Sequence, residues 1–224
     1  QELSKNLNPN LNNKLRPHLS LAKIRVFNFF KKIKGLFVPT NYIDANFISF
    51  GFSEYMYRDV LKKVTENINQ TNFFKGIVLT DSFKNTPIKN ARRISIWSFW
   101  NIKSFISSFI LRKRLKVSLN MLKKEIYQCR ALEGMHPEID LDYTFNWIIN
   151  FHAPLMIDSI VLANNLVKII NPLFFLCPDS ANPISRIYSL SGKKVQSKTL
   201  EVQLAKFGQE SVELSFSLAD KIFV

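Results

Sequence analysis

Five apolar residues in a row, Leu173-Phe174-Phe175-Leu176-Cys177, stand between Pro172 and Pro178. A run this short, apolar on both alternations and fenced by prolines, predicts a strand buried on both faces. Burial on both faces requires helices above and below, so the run points to a parallel sheet in an α/β protein. The flanking sequence agrees. Pro178-Asp179-Ser180 offers a turn and a polar cap for a helix through about Leu190, and Gly192-Lys193 is a helix stop signal. Thr199-Leu200-Glu201-Val202-Gln203 predicts the next strand, and Lys221 to Val224 a third, after a loop and a short helical stretch. Strand, helix, strand, connection, strand at this spacing is a right-handed parallel unit.

Upstream, the apolar periodicity from Tyr143 to Ile170 predicts two helices meeting near Ala153-Pro154. Gly76 to Asp81 reads as a strand ending in a polar turn. Glu54 to Ile68 reads as a helix with Tyr57, Val60, Leu61, Val64 and Ile68 on one face. Phe47 to Phe52 fits a strand or a buried loop, and Leu36-Phe37-Val38-Pro39 a first short strand. Leu19 to Phe30 fits a basic amphipathic helix ending near Gly35. Residues 1–18 read as a flexible lead-in, and residues 19–224 as one α/β domain. That domain divides into a basic, aromatic helical part (about 85–130) and the parallel unit (142–224).

Ile94 to Leu111 is apolar and aromatic, with Lys103 its one charge, between Arg92-Arg93 and Arg112-Lys113-Arg114. A membrane-spanning helix needs about 20 mostly apolar residues, and this segment carries Asn101 and several serines. It reads as a core or partner-facing helix, or as one lying on an anionic membrane. Val117 to Arg130 reads as a further helix.

Charge divides the chain. The formal net charge is +14, yet residues 1–130 hold 24 Lys/Arg against 7 Asp/Glu, and residues 131–224 hold 7 against 10. The first part can face anionic lipid, nucleic acid or an acidic small molecule; the second is no generic polyanion binder. No RRM, KH or zinc-knuckle pattern accompanies the aromatics, which disfavours nucleic acid.

Several chemistries are excluded by pattern. Cys129 and Cys177 lack CxxC or histidine spacing, so they read as thiols in a reducing compartment. His18, His136 and His152 are scattered. His136 with Glu138, Asp140 and Asp142 reads as a solvated loop, so no metal site is expected. Neither GxGxxG nor GxxxxGK[ST] occurs, and 6 glycines leave little room for a phosphate cradle. Classical dehydrogenases and P-loop NTPases are disfavoured.

Ligands of open parallel sheets bind at the carboxyl ends of the strands, where helix N-termini present free N–H groups. That rule selects the loops after Cys177 and after Val202. Asp179 is a candidate to orient a sugar hydroxyl or act as a base, and Ser180 serves equally well as the cap of its helix. Gln203 and Glu210 are candidates for polar ligand contact.

The stretch Asn171-Pro-Leu-Phe-Phe-Leu-Cys-Pro-Asp179, the helix to Gly192-Lys193, Thr199-Leu-Glu-Val-Gln203 and Ala219-Asp220-Lys221-Ile222-Phe223-Val224 resembles part of the bacterial surface-carbohydrate (capsule and lipopolysaccharide) biosynthesis proteins with a GT-B-like fold. The resemblance covers residues 142–224. It implies a Rossmann-like parallel sheet flanked by helices, the N-terminal, acceptor-side half of a glycosyltransferase-like protein. Where that group has His-Gly after Val-Gln, this chain has Leu204-Ala205, which removes any role of the histidine. On this resemblance no cofactor is held here, and the sugar nucleotide binds mainly in a further C-terminal domain. The chain is then expected to be a fragment that is inactive alone. The expected partners are a saccharide or lipid-linked acceptor and an anionic membrane surface, with a cytoplasmic, peripheral location on the inner face of the membrane.

Overall fold

The structure, a computed structural model, describes residues 9–38, 43–51, 61–81, 83, 91–128, 141–178, 182–202 and 219–223. Six strands form one sheet: β1 (Phe47–Phe50), β2 (Gly76–Thr80), β3 (Arg92–Ser95), β4 (Phe174–Cys177), β5 (Lys198–Val202) and β6 (Lys221–Phe223). Their spatial order is β3-β2-β1-β4-β5-β6, and every pair is parallel. This is the doubly wound, Rossmann-like order, with its direction reversing between β1 and β4.

The sequence explains the layout. β1, β2 and β4 occupy the middle of the sheet and are nearly continuous apolar runs, buried on both faces. β3 begins with Arg92 and Arg93 and lies at an edge, where charge discourages pairing with another chain. On one face, Ile48, Phe50, Ile77, Leu79, Ile94 and Phe175 pack into the main core with helices α5 (Ala153–Ile170) and α6 (Pro183–Lys193). The opposite face holds Leu61, Val78 and Leu176 beneath α2 (Lys62–Gln70), and there Thr65 Oγ1 lies 3.0 Å from Ser49 Oγ.

Two glycines mark close approaches. A Cβ on Gly76 would lie 2.0 Å from the Phe47 ring, and one on Gly192 would lie 2.3 Å from the Phe175 ring. Gly192 therefore does more than end α6: it lets the last turn of that helix sit directly on β4.

Outside this core lie α1 (Pro9–Phe37) and α3 (Ile102–Gln128). Three sequence expectations change here. α1 takes in residues 9–18 and runs through Pro17, which lacks the N–H that a helix interior uses. Leu36 and Phe37 are the end of α1 rather than a strand. The segment 94–111 is not one helix. It supplies the end of β3, a 3-10 turn (Ile96–Phe99) and the start of α3, which continues unbroken through the expected second helix. The break falls at Asn101, which accepts from Ser104 N at 2.9 Å while Ser104 Oγ accepts from Asn101 N at 3.1 Å, a reciprocal cap.

The two helices expected between 143 and 170 are α4 (Leu141–Trp147) and α5, joined by a π turn (Ile148–His152). Asn171 ends α5 in the left-handed conformation at φ 48°. Asp142–Ile170 is the one helical stretch among the described residues that is long and apolar enough to cross a membrane, and 56% of its most apolar window is buried inside the fold. α5 is the core helix of the sheet.

Candidate functional site: the carboxyl edge of the sheet

Because every strand is parallel, the chain leaves β1, β2, β3, β4 and β5 at the same edge. Cys177 pairs with Glu201 across β4 and β5, so the chain leaves these two strands side by side. Asp179, Ser180, Gln203 and Glu210 themselves lie outside the described residues, as do Cys129, His136, Glu138 and Asp140.

The described residues at this edge form a polar constellation that sequence reasoning did not single out. Asp81, directly after β2, accepts from Trp97 Nε1 at 2.6 Å and from Lys31 Nζ at 2.5 Å. Its side chain is half exposed, while that of Lys31 is nearly buried. Trp97 belongs to the 3-10 turn after β3, and Lys31 to α1, so the basic N-terminal helix reaches over the ligand edge of the sheet. A Cβ on Gly35 would lie 2.1 Å from the Trp97 carbonyl oxygen, so this glycine sets how closely α1 approaches. The sequence signal for Asp81 was a carboxylate ending a strand; its two partners lie 16 and 50 residues away in sequence and could not be read locally.

Tyr188 of α6 is fully buried and its ring packs edge-on against Phe50 at 5.4 Å. Burial pushes its phenol well above the ordinary tyrosine range, and the negative charge of Asp81 adds to that. It remains neutral across the physiological range. Glu201, one residue before the end of β5, is only 4% exposed and lies beside Cys177 on the α6 side of the sheet. Cys177 is a buried thiol that forms no disulfide.

The opening of α6 differs from expectation. The helix begins at Pro183, and its cap is Asn182, whose Oδ1 accepts from Ile184 N at 3.0 Å. Ser180 is therefore not the cap. Pro183 has no N–H and that of Ile184 is taken, so two first-turn positions offer no donor to an anion.

Asp220, part of the Ala219-Asp220 motif, precedes β6 and so lies at the amino edge, opposite the ligand side. It accepts from Thr199 N at 2.7 Å, and its own N–H donates to Thr199 O at 2.8 Å. It fastens β6 to β5. Asp142 pairs with Lys123 of α3, whose hydrogen bond and charge hold its carboxyl below the usual range. No group of three or more His, Cys, Asp and Glu with metal-binding geometry occurs among the described residues.

The turn after β1 contains Gly51, where a Cβ would lie 2.7 Å from Val78 Cγ1, so packing explains that glycine. In comparisons with known proteins, the chain matches no family model, no curated protein and no solved structure.

Proposed function

We propose that this chain is the acceptor-side, Rossmann-like domain of a glycosyltransferase-like protein of surface polysaccharide synthesis. The observation that carries the reading is the parallel pairing of β4 with β5 beside the β1/β4 reversal. The chain therefore leaves β4 and β5 at the edge where Asp81 follows β2, and Asp179 and Gln203 come directly after those strands in sequence. In this reading a saccharide or lipid-linked acceptor lies along that edge, and Asp179, Gln203 and Glu210 contact its hydroxyls. The sugar nucleotide is held mainly by a further domain, so this chain alone binds acceptor weakly and shows no turnover. The test is Asp179→Asn in the longer protein. The reading expects lost sugar transfer at an unchanged melting temperature. Unchanged transfer with lowered stability would assign Asp179 to the fold instead.

A second reading, a non-catalytic module for anionic membranes, is favoured by a separate observation. α1 and α3 expose Phe27, Phe30, Phe37, Ile106 and Phe109 among Lys23, Lys34, Lys103, Lys113 and Arg114. Aromatic and aliphatic side chains interleaved with cations suit the headgroup boundary of an anionic bilayer. Liposome flotation across a salt series tests it. Surface electrostatics predicts binding that vanishes near 0.5 M salt, where screening acts within roughly 3–5 Å. Insertion predicts binding that survives, and no binding at any salt ends the reading.

A further inference from the structure

α1, α3 and the π turn before α5 line a cavity of about 400 Å³. Its charge is unbalanced. Arg25, Lys32 and Arg112 line it together with His152, and its one carboxylate is Asp158. Asp158 is 3% exposed and fully engaged: Lys32 Nζ lies at 2.5 Å, Arg112 Nη2 at 2.6 Å from both oxygens, and Ser108 Oγ at 2.7 Å. One carboxylate cannot neutralise two cations, and Arg25 adds a third at the rim. Arg112 Nε is buried without a hydrogen-bond partner. Burial is the main cause that lowers the Lys32 ammonium from its usual range, with Arg112 adding to it against the pull of Asp158. Lys32 is buried and Arg112 partly so, and their single shared carboxylate leaves this wall net positive, which an anion would relieve.

The remaining wall is aromatic. Arg25 lies 4.4 Å from the centroid of the Phe151 ring, Trp147 stacks on His152 at 5.3 Å, and Phe29 completes the rim. A space of this size, lined by both cations and aromatic rings, fits a small amphipathic ligand.

We infer that this cavity is a binding site for an amphipathic phosphate ester, its phosphate held by Arg25, Arg112 and Lys32 and its apolar portion lying on Phe29, Trp147 and Phe151. Its lining shares no residue with the Asp81, Lys31 and Trp97 group, and the proposal does not rest on the acceptor-side reading. Its ligand is either the headgroup end of an anionic phospholipid or a soluble phosphate ester.

Calorimetric titration of the full chain with octyl phosphate, with octyl glucoside as the neutral control, tests the site. Saturation at one ligand per chain is expected, with affinity at least about tenfold above the control, the scale of one charge-assisted contact. Arg25→Gln, at an exposed position, should weaken octyl phosphate by about tenfold, whereas Lys113→Gln, outside the cavity, should leave it unchanged. Vesicles containing phosphatidate then separate the sources. Arg25-dependent retention on them identifies the lipid, and octyl phosphate binding without such retention identifies the soluble ester. Octyl phosphate binding no tighter than octyl glucoside would overturn the proposal. So would equal weakening by Lys113→Gln and Arg25→Gln, which is the signature of diffuse surface charge.

Discussion

The sheet and the outer helices solve the burial problem in opposite ways. In the central strands of the sheet, apolar side chains are covered on both faces, and the buried Ser49 meets Thr65 of α2. In α1 and α3, large apolar side chains stay in water: Phe37 is 79% exposed, Ile102 71% and Phe109 70%. The charges follow the same division. α1 contains no Asp or Glu and α3 only Glu125, so their cations borrow carboxylates from elsewhere, Asp81 and Asp158 for α1 and Asp142 and Asp158 for α3. The sheet is a completed structure, whereas the helical layer has surface and charge left over for something else.

The sharpest way to break this contrast is at the joint between the two layers. Asp158→Ala leaves Lys32 and Arg112 without their shared carboxylate, and should destabilise the fold by about 3–5 kcal/mol in urea melts. Within the sheet, Gly192→Ala forces a Cβ against the Phe175 ring, and should cost about 1–3 kcal/mol through overpacking. If it proves neutral, the core is looser than its geometry indicates. Tyr188 gives the sheet side a pH signature. Its folded-state phenol is raised, so its contribution is fully present below about pH 10 and is lost as pH rises beyond that value, where the unfolded chain ionises. Relative to Tyr188→Phe, the wild type should lose up to about 1.4 kcal/mol per pH unit there. At the other extreme, Phe27→Ser with Phe109→Ser should change stability by less than about 0.5 kcal/mol. The same pair should reduce flotation with anionic vesicles. A large loss of stability would show these side chains to be core after all.

Much of the sheet was legible because its signals are local. The runs Phe174–Cys177 and Gly76–Thr80 are too short and too continuously apolar for an amphipathic helix, and prolines fence the first. β3 was hidden because Ile94 and Ser95 run straight into Ile96, Trp97 and Phe99, and the whole stretch has the composition of a buried helix. The Asn101–Ser104 cap was the readable clue that the helix begins later. α1 was placed too late because Pro17 reads as a helix boundary. The Asp158 cluster was not legible at all. Ser108 and Arg112 share one stripe of α3, but Asp158 lies 50 and 46 residues further on, and no spacing within one helix announces a contact between three.

Chain order gives that cluster a role in time as well as in space. α1 precedes its partners in the chain: the carboxylate that receives its Lys31 lies 50 residues later, and the one that receives Lys32 lies on α5, beyond the midpoint of residues 1–224. During synthesis a cationic helix with exposed phenylalanines therefore waits for most of the domain before it can dock. Until then neither Asp81 nor Asp158 is there to receive its cations, which leaves them open to anionic surroundings.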